Sequence, residues 1–353
     1  MTAKFKFNIE LNIIVLTGGT SAERNVALAS GKSVAKALRD AGNNVRVIDP
    51  IYGTAQPDEE KIFMDRPAIG KEFPTAEELN LYSNRKVIEC INSELFDNTD
   101  IVFLALHGKF GEDGRIQSLL EMRGVKYTGT GVTSSAMAMD KNISKIMFTH
   151  YDISTPKWFM LKKGNQTELQ VDENIKLQVG YPAVIKPNDE GSTVGLTIVQ
   201  PDVEDVQLGK ALGDAFAYSD NVMAEEYIEG RELTVAVIGG EAFPVVEIKP
   251  KDGFYDYVHK YTKGFTDYFC PADLPEKLAK HIQDKAIVAH NALGCAVYSR
   301  VDFRLNSKGD AYCLEVNTLP GMTELSLVPK AAGAAGMNFT ALLNRIIELS
   351  LNK

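Results

Sequence analysis

Hydrophobic and polar positions follow a strand–helix order through the first third of the chain. Amphipathic stretches with helical spacing, at 21–42 and 85–96, separate short apolar runs of strand length at 11–19, 43–50 and 100–108. This order predicts a parallel sheet with helices packed against it. We therefore expect an N-terminal doubly wound α/β unit over residues 1–129, which ends with a further helix at "GRIQSLLEMRG" (114–124).

The pattern changes after residue 129. A helical stretch at 132–152 ends before Pro156. The segment "YPAVIKPNDEGSTVGLTIV" (181–199) is typical of two short strands around a loop of small and polar residues. Strands punctuated by glycines follow at 221–248. Strands and helices mixed in this way predict an α+β arrangement.

We divide this remainder into a central unit, 130–224, and a C-terminal unit, 225–353. In the C-terminal unit we expect a helix from about Pro275 to Leu293, then a hairpin and a terminal helix. The polar segment at 53–84 carries no recognisable motif.

Two alternating runs near the C-terminus, "VYSRVDFRL" (297–305) and "AYCLEVN" (311–317), are joined by the turn sequence "NSKGD". Such runs around a glycine-containing polar turn predict a β-hairpin. Because side chains alternate between the two faces of a strand, the core-facing residues should be Val301, Phe303, Leu305, Leu314 and Val316. The opposite face should then carry Arg300, Asp302, Glu315 and Asn317.

This polar face predicts a site for a metal ion and phosphate. Asp302, Glu315 and Asn317 are hard oxygen ligands, which suit Mg²⁺ and not zinc. Arg300 could stabilise charge on a transferring phosphoryl group or a tetrahedral intermediate. The alternative is a solvated sheet face with one salt bridge, since surface charge is common.

Composition narrows the class of protein further. The net charge of −9 argues against a general binder of nucleic acid or membrane surfaces. The four cysteines show no metal-type spacing, which favours reduced thiols. The chain has no signal-peptide pattern at its start and no run approaching the ~18 apolar residues of a membrane span. We therefore expect a soluble cytoplasmic protein.

The chain resembles the D-alanine–D-alanine ligases, members of the ATP-grasp superfamily. The motifs that carry the resemblance share the family's order and spacing: "GGTSAER" (18–24), "ALHGKFGEDG" (105–114), "YTGTGVTSSAMAMDK" (127–141), "IKPNDEGSTVG" (185–195), "FYDYVHKY" (254–261), "RVDF" (300–303) and "LEVNTLPGMTELSLVP" (314–329). The resemblance implies a two-part ATP-grasp fold after the N-terminal unit, and a homodimer.

The family's reaction is implied as well. ATP phosphorylates the carboxylate of a first D-alanine, and the amine of a second D-alanine attacks the acyl phosphate. The dipeptide and phosphate leave, and the product serves peptidoglycan synthesis. The resemblance makes Asp302, Glu315 and Asn317 the ligands of two Mg²⁺ ions, for which Mn²⁺ can substitute.

The resemblance also assigns a nucleotide site. Lys141 and Lys186 should reach phosphate oxygens, and they would supply local positive charge inside an acidic protein. An acid at Glu225 and the backbone at Ile228 should meet adenine, and Glu232 should meet the ribose. Taken alone, such lysines are more often solvated surface charges.

Residues around the first D-alanine follow from the same resemblance. Glu23 lies at the ligand-facing end of the parallel sheet and should hold the ammonium group, although an acid in a first helical turn is also favourable for the helix alone. His107 should lie near this substrate, or be a satisfied histidine at a strand end. Ser192 should form a relay with Glu23 and Tyr261, in a loop that excludes water. The family has serine at 192 and 193, and Thr193 here keeps the hydroxyl.

The second D-alanine and the tetrahedral intermediate are assigned in the same way. Lys260 and Ser326 should bind the incoming carboxylate, and Leu327 should flank the side-chain pocket. Arg300 and the backbone N–H of Gly321 should form an oxyanion hole. Relatives with Phe in place of Tyr261 tend to make D-alanyl-D-lactate, so Tyr261 favours D-alanine as the nucleophile.

Three other functions compete with this interpretation. A nicotinamide-dependent oxidoreductase would suit the N-terminal unit, but "GGTSAE" has Thr20 and Glu23 where GxGxxG needs glycines. A nucleotide- or peptide-binding module without chemistry would not need the intact metal and substrate residues. Another carboxylate–amine ligase of the superfamily, including one that uses D-lactate or D-serine, remains open.

Overall fold

The N-terminal parallel sheet forms as the sequence predicts. The computed structural model describes residues 10–64, 79, 82–200, 205–251 and 265–353. The strands pair in parallel in the order β2-β1-β3, with bounds β1 (Asn12–Leu16), β2 (Asn44–Ile48) and β3 (Ile101–Leu104). β1 and β3 are buried almost throughout, because a parallel strand covered on both faces needs a continuous apolar run.

Helices accompany this sheet at α1 (Arg24–Asp40), α2 (Glu59–Met64), α3 (Asn84–Ile91) and α4 (Arg115–Arg123). The apolar face of α1 is buried in the same core as the strands. α4 ends where Gly124 takes a left-handed conformation and donates a hydrogen bond to Glu121 O at 3.0 Å. The sequence predicts α1, α3 and α4, including the end of α4 at Gly124, whereas α2 lies in the segment without a recognisable motif.

The helical stretch expected at 132–152 is broken into α5 (Val132–Met139) and α6 (Lys141–His150). Asp140 separates them, because it adopts an extended conformation and its side chain accepts a hydrogen bond from Ile143 N at 2.9 Å. An aspartate cap of this kind starts a new helix. The break places Lys141 in the first turn of α6.

The central unit is built on an antiparallel sheet in the order β4-β7-β5-β6. Its elements are β4 (Trp158–Lys162), α7 (Glu168–Asn174) with a π-helical turn at Ile175–Val179, β5 (Ala183–Pro187), β6 (Thr197–Val199), α8 (Asp205–Phe216) and β7 (Asn221–Glu226). Apolar side chains of the two helices and the sheet form one core. β7 continues past the expected division at 224, and the chain leaves this sheet after Glu226.

The C-terminal unit is built on a second antiparallel sheet, in the order β11-β10-β8-β12-β13 with β9 on β8. The strands are β8 (Arg231–Ile238), β9 (Glu241–Ala242), β10 (Val246–Pro250), β11 (Thr266–Phe269), β12 (Tyr298–Leu305) and β13 (Ala311–Asn317). Helix α9 (Glu276–Ala292) forms as the sequence predicts, and it packs against one face of this sheet.

Two helices end the chain, α10 (Leu327–Ala334) and α11 (Phe339–Leu351). Leu342, Leu343 and Ile346 of α11 are buried in one core that contains residues of both the N-terminal parallel sheet and the C-terminal unit. The sequence predicts the helix but not this packing. The end of the chain therefore helps to join the N-terminal and C-terminal units.

The hairpin of β12 and β13 forms, with one correction to its faces. Asp302 pairs with Glu315, whereas Phe303 pairs with Cys313, so Leu314 is an extra residue in a β-bulge. The bulge resets the alternation, so Cys313 is buried in the core and Leu314 lines the opposite, polar side. The expectation that Leu314 faces the core is therefore wrong, while Val301, Phe303, Leu305 and Val316 are buried as expected.

The described residues thus form one parallel and two antiparallel sheets with helices packed on them, which confirms the mixed α/β and α+β expectation. None of the helices in the described ranges has both the length and the apolar composition needed to cross a bilayer.

Candidate active site

A cleft with a cavity volume of about 100 Å³ lies between the central and C-terminal sheets. Its walls come from the start of α6, the loop after β5, the end of β7 and the polar side of β12 and β13. Eight of the predicted site residues line it together: Lys141, Lys186, Ser192, Glu225, Ile228, Glu232, Asp302 and Glu315. Residues far apart in the sequence therefore meet in one place, as the sequence analysis expects.

Lys141 lies at the floor of the cleft between the loop and the hairpin. Its Nζ atom donates to Glu190 O at 2.6 Å and lies 3.3 Å from Glu315 Oε2. Burial disfavours its charge, but the surrounding carboxylates, Glu315 above all, raise the pKa of Lys141 over its usual value. This lysine therefore remains cationic beside the polar face of the hairpin.

Glu225 is buried at the other end of the cleft between two lysines. Its Oε1 accepts a hydrogen bond from Lys186 Nζ at 2.6 Å, and its Oε2 lies 2.7 Å from Lys145 Nζ. Burial alone would raise the pKa of Glu225, but the two ammonium groups lower it below its usual value. Glu225 is thus an ionised carboxylate that can only accept hydrogen bonds.

The loop at 188–195 covers the cleft and touches the N-terminal unit. Ser192 Oγ donates a hydrogen bond to Glu23 Oε1. A Cβ atom on Gly191 would lie 2.6 Å from Glu23 Oε2, so only glycine permits this approach. Ser192 and Thr193 have φ values of +48° and +64°, which are unfavourable for residues with a side chain. The structure therefore brings Glu23 and Ser192 together, and Tyr261 lies outside the described residues.

His107 connects the N-terminal unit to the loop after β13. Its Nε2 atom lies 3.1 Å from Ser30 Oγ, which also accepts a hydrogen bond from Met322 N at 3.1 Å. Burial, with Arg300 nearby, lowers the pKa of His107 to about 4, although a hydrogen bond with the Leu319 backbone opposes this. His107 is therefore neutral near pH 7.

Asp302 is the centre of the polar face on the hairpin. Arg300 contacts it with two nitrogens, at 2.9 Å and 2.7 Å, while Thr234 Oγ1 and Asn317 Nδ2 donate to it at 2.6 Å and 3.0 Å. Glu315 lies directly across the strand pair. Arg300, Asp302, Glu315 and Asn317 therefore share one face, as predicted.

The donor set on this face fits a hard divalent cation. Two carboxylates and one amide oxygen are ligands of the kind that Mg²⁺ takes. Within the described ranges, no group of three His, Cys, Asp or Glu side chains is arranged to hold a metal ion, so the amide of Asn317 is needed to complete the set. The chemistry of the residues supports Mg²⁺ more than it supports zinc.

Gly321, Ser326 and Leu327 lie outside the lining of the cleft, in the loop after β13 and at the start of α10. Ser326 Oγ accepts a hydrogen bond from Thr323 N at 3.0 Å. A Cβ atom on Gly321 would lie 3.2 Å from Ser326 Oγ, so these two residues are in contact. The bond from Met322 N to Ser30 places this loop beside His107. Lys260 lies outside the described residues.

Three charged residues at the site were not predicted from the sequence: Lys109, Glu112 and Lys145. Glu112 Oε2 accepts from Gly108 N at 2.8 Å and its Oε1 accepts from Leu319 N at 3.1 Å, so it joins the N-terminal unit to the loop after β13. Lys109 and Glu112 fall inside the quoted motif "ALHGKFGEDG", in which only the histidine was singled out. Lys145 stands one helical turn after Lys141, a spacing that places both on one side of α6.

Comparisons with known proteins identify the class to which this fold and site belong. Two family models match the chain: "D-ala D-ala ligase N-terminus" over residues 12–130 and "D-ala D-ala ligase C-terminus" over residues 147–348. The chain is an enzyme of this ligase class.

Curated relatives agree along nearly the whole chain. A D-alanine–D-alanine ligase from Syntrophotalea carbinolica is 40% identical over 335 residues, covering 95% of this chain and 94% of the relative. One from Halalkalibacterium halodurans is 39% identical over 349 residues, covering 97% and 100%. The chain therefore belongs to the D-alanine–D-alanine ligase family, which confirms the resemblance found in the motifs.

Solved structures are similar as well. A D-alanine–D-alanine ligase from Bacillus anthracis, complexed with ATP, has a TM-score of 0.73 at 31% identity and covers 97% of this chain and 98% of its own. The VanG D-Ala:D-Ser ligase from Enterococcus faecalis has a TM-score of 0.75 at 30% identity and covers 97% and 100%.

Proposed function

We propose that the protein joins two D-alanine molecules through a D-alanyl phosphate, with ATP converted to ADP and phosphate. The product, D-alanyl-D-alanine, would serve peptidoglycan synthesis. One observation carries the proposal: in a chain of this family, Lys141, Lys186, Asp302 and Glu315 line a single cleft under the loop at 188–195. Cationic and carboxylate groups in one partly enclosed site suit phosphoryl transfer, which depends on positioning and charge stabilisation.

ATP would lie along this cleft from Glu225 to the hairpin. Glu225 and the Ile228 backbone would meet adenine, and Glu232 would meet the ribose. Lys141 and Lys186 would contact phosphate oxygens. Glu232 is bonded to Arg304 at 3.3 Å, so its carboxylate is already held in place. The apolar neighbours Val184 and Leu314 suit a flat base.

Asp302, Glu315 and Asn317 would hold two Mg²⁺ ions, or Mn²⁺ in their place. These ions would neutralise charge on the nucleotide phosphates. Arg300 and Asn317 now donate to Asp302, and both side chains would have to turn for its oxygens to accept a cation. Release from Asp302 would leave the Arg300 guanidinium available for the reacting carboxylate.

The first D-alanine would lie between the N-terminal unit and the hairpin. Glu23 would bind its ammonium group, and neutral His107 would lie beside it. Arg300 and Gly321 N–H would stabilise the oxyanion that forms when the second amine attacks. Ser192, bonded to Glu23, would belong to a relay that includes Tyr261, and the loop would exclude water from the acyl phosphate.

The second D-alanine would be bound by Lys260 and Ser326 through its carboxylate, with Leu327 beside its methyl group. Tyr261, where D-lactate users carry Phe, favours an amine nucleophile. A D-serine nucleophile is the second candidate, because the VanG D-Ala:D-Ser ligase matches this fold over the full chain.

The remaining expectations are part of the same proposal. We propose a doubly wound N-terminal unit at 1–129, an ATP-grasp pair at 130–224 and 225–353, a homodimer, and a cytoplasmic location where ATP is available. The separate core of the central sheet supports this division, whereas one core joins residues of the N-terminal and C-terminal units.

The test is phosphate release from ATP with D-alanine, compared with L-alanine, D-serine and D-lactate as additions. We expect release and dipeptide formation with D-alanine alone at neutral pH. Equal or faster product formation when D-serine is paired with D-alanine would favour the second candidate. No D-alanine-dependent turnover with Mg²⁺ would reject the ligase proposal.

A further inference from the structure

A fully buried lysine, Lys145, contacts Glu225 and does not line the cleft. Its side chain is 0% exposed, and its Nζ atom is 2.7 Å from Glu225 Oε2. The same ammonium donates to Thr155 Oγ1 at 2.7 Å and to Pro156 O at 3.0 Å. Two hydrogen bonds and one close ion pair hold this ammonium group in place. Lys145 is therefore fixed, and it holds one oxygen of Glu225 in place.

The two lysines on Glu225 differ in their access to the cleft. Lys186 lines the cleft, where the proposed function gives it a phosphate to bind, and Lys145 is not among the lining residues. When Lys186 turns toward phosphate, Lys145 remains as the cation paired with Glu225. The ionisation and direction of this carboxylate then depend on Lys145.

We propose that Lys145 is a positioning residue that keeps Glu225 ionised and aimed into the cleft, and thereby sets a preference for adenine over guanine nucleotides. The inference rests on the proposed function, in which Glu225 meets the base. Adenine carries an amino group that donates hydrogen bonds, whereas guanine carries a carbonyl acceptor at the corresponding position. An ionised carboxylate can only accept, so it binds the first base and repels the second.

The electrostatics of the buried group agree with this role. Burial opposes ionisation of Glu225, and the two lysines overcome it and lower its pKa. Without Lys145, a single lysine that also serves phosphate would have to offset the whole penalty of burial. A protonated Glu225 could donate to the guanine carbonyl, and the discrimination between bases would weaken.

The variant that tests the proposal is Lys145→Met, which keeps the length of the side chain and removes its charge. We expect the KM for ATP to rise about tenfold and the ATP-to-GTP ratio of kcat/KM to fall about tenfold, as for the loss of one charged hydrogen bond. The KM for D-alanine should stay within about twofold, because Lys145 is fully buried and does not line the cleft. Lys162→Met, at the exposed end of β4, is the matched control.

A purely structural lysine would give a different result. Lys145→Met would then lower the melting temperature and the active fraction, with an unchanged ATP-to-GTP ratio, and that outcome overturns the proposal. If this variant does not fold, Thr155→Val removes one partner of the ammonium without a change of charge. We expect it to lower the ratio about threefold, and an unchanged ratio there also counts against Lys145.

The ATP turnover of wild-type protein distinguishes a failure of this inference from a failure of the proposed function. If wild-type protein shows D-alanine-dependent ATP turnover and the variants keep its base preference, only the role of Lys145 fails. If wild-type protein shows no such turnover, the proposed function fails first.

Discussion

Lys109 and Glu190 form an ion pair that joins the N-terminal unit to the loop over the cleft. Lys109 Nζ lies 2.6 Å from Glu190 Oε1 and 3.4 Å from Asp189 Oδ2, and it donates to Tyr218 O at 2.9 Å. The left-handed conformations in this loop cost about 1 kcal/mol per residue. The ion pair therefore helps to hold an unfavourable loop conformation against the N-terminal unit.

We predict that Lys109→Met loosens the loop and exposes the acyl phosphate to water. Phosphate released per dipeptide should rise from near one to about two, because hydrolysis then competes with the second amine. Both products should be measured in the same reaction at saturating ATP. Added salt should also raise the phosphate released per dipeptide by wild-type enzyme, because Lys109 is only partly buried and its ion pair is screened.

The control for this prediction is Lys126→Met. Lys126 also links the N-terminal unit to the end of the chain, through a hydrogen bond to Leu351 O at 2.7 Å, but it does not touch the loop. Its variant should keep the wild-type ratio. A ratio near one in Lys109→Met would show that the ion pair does not protect the intermediate.

We predict that Glu315→Gln loses most of its activity and remains folded. The amide keeps the shape of the side chain but removes the charge that faces Lys141 and would bind Mg²⁺. The rate should fall by about 10²-fold or more, as for other groups that stabilise reacting charge. Dipeptide synthesis and thermal unfolding should be measured together, with Asp310→Asn in the exposed hairpin turn as the control. An active, folded variant would remove Glu315 from the metal site.

The hairpin shows how far the sequence could predict this site. Alternation along two strands and a glycine-containing turn were enough to place Arg300, Asp302, Glu315 and Asn317 on one face. These signals are local and repeat every second residue. The bulge at Leu314 was not predictable from them, because it is a property of the pairing between strands and not of either strand alone.

Contacts between segments that are far apart in the sequence could not be predicted either. Nothing in α6 indicates that Lys145 meets Glu225, and nothing in "HGKFGEDG" indicates that Lys109 meets Glu190. The packing of α11 with the N-terminal sheet was equally unpredictable, because an amphipathic helix predicts a buried face but not the element that covers it. The resemblance to the family predicted which residues share a site. The periodicity of the sequence predicted only the helices and strands on which those residues lie.

We predict that Glu112 makes stability depend on pH. Burial, with the charge of Glu23 nearby, raises the pKa of Glu112 from 4.5 to about 8, against hydrogen bonds from the backbone of Gly108 and Leu319. Between these values the folded protein binds more protons than the unfolded chain. The free energy of unfolding should therefore fall as pH rises from near 4.5 to about 8.

The variant Glu112→Gln tests this pH dependence. Its absolute stability should fall, because its amide N–H₂ would face a backbone N–H, at a cost of about 1 kcal/mol or more. Its decline in stability with pH should be shallower than that of wild-type protein. Urea unfolding across this pH range measures both quantities, and parallel curves would exclude Glu112 as the titrating group.

We predict that Gly191→Ala lowers activity without unfolding the protein. The added Cβ would lie 2.6 Å from Glu23 Oε2, so either the carboxylate or the loop must move. If Glu23 binds the ammonium of the first D-alanine, kcat/KM for D-alanine should fall about tenfold or more, since a displacement of about 1 Å in a positioning group has effects of this size.

Gly213→Ala in α8 is the matched control, because its Cβ would meet nothing within 4 Å. That control should keep full activity and gain about 0.5–1 kcal/mol of stability from better helix propensity. Steady-state kinetics and thermal unfolding of both variants measure these effects. Equal activity of the two alanine variants would mean that the contact between Gly191 and Glu23 does not position the substrate.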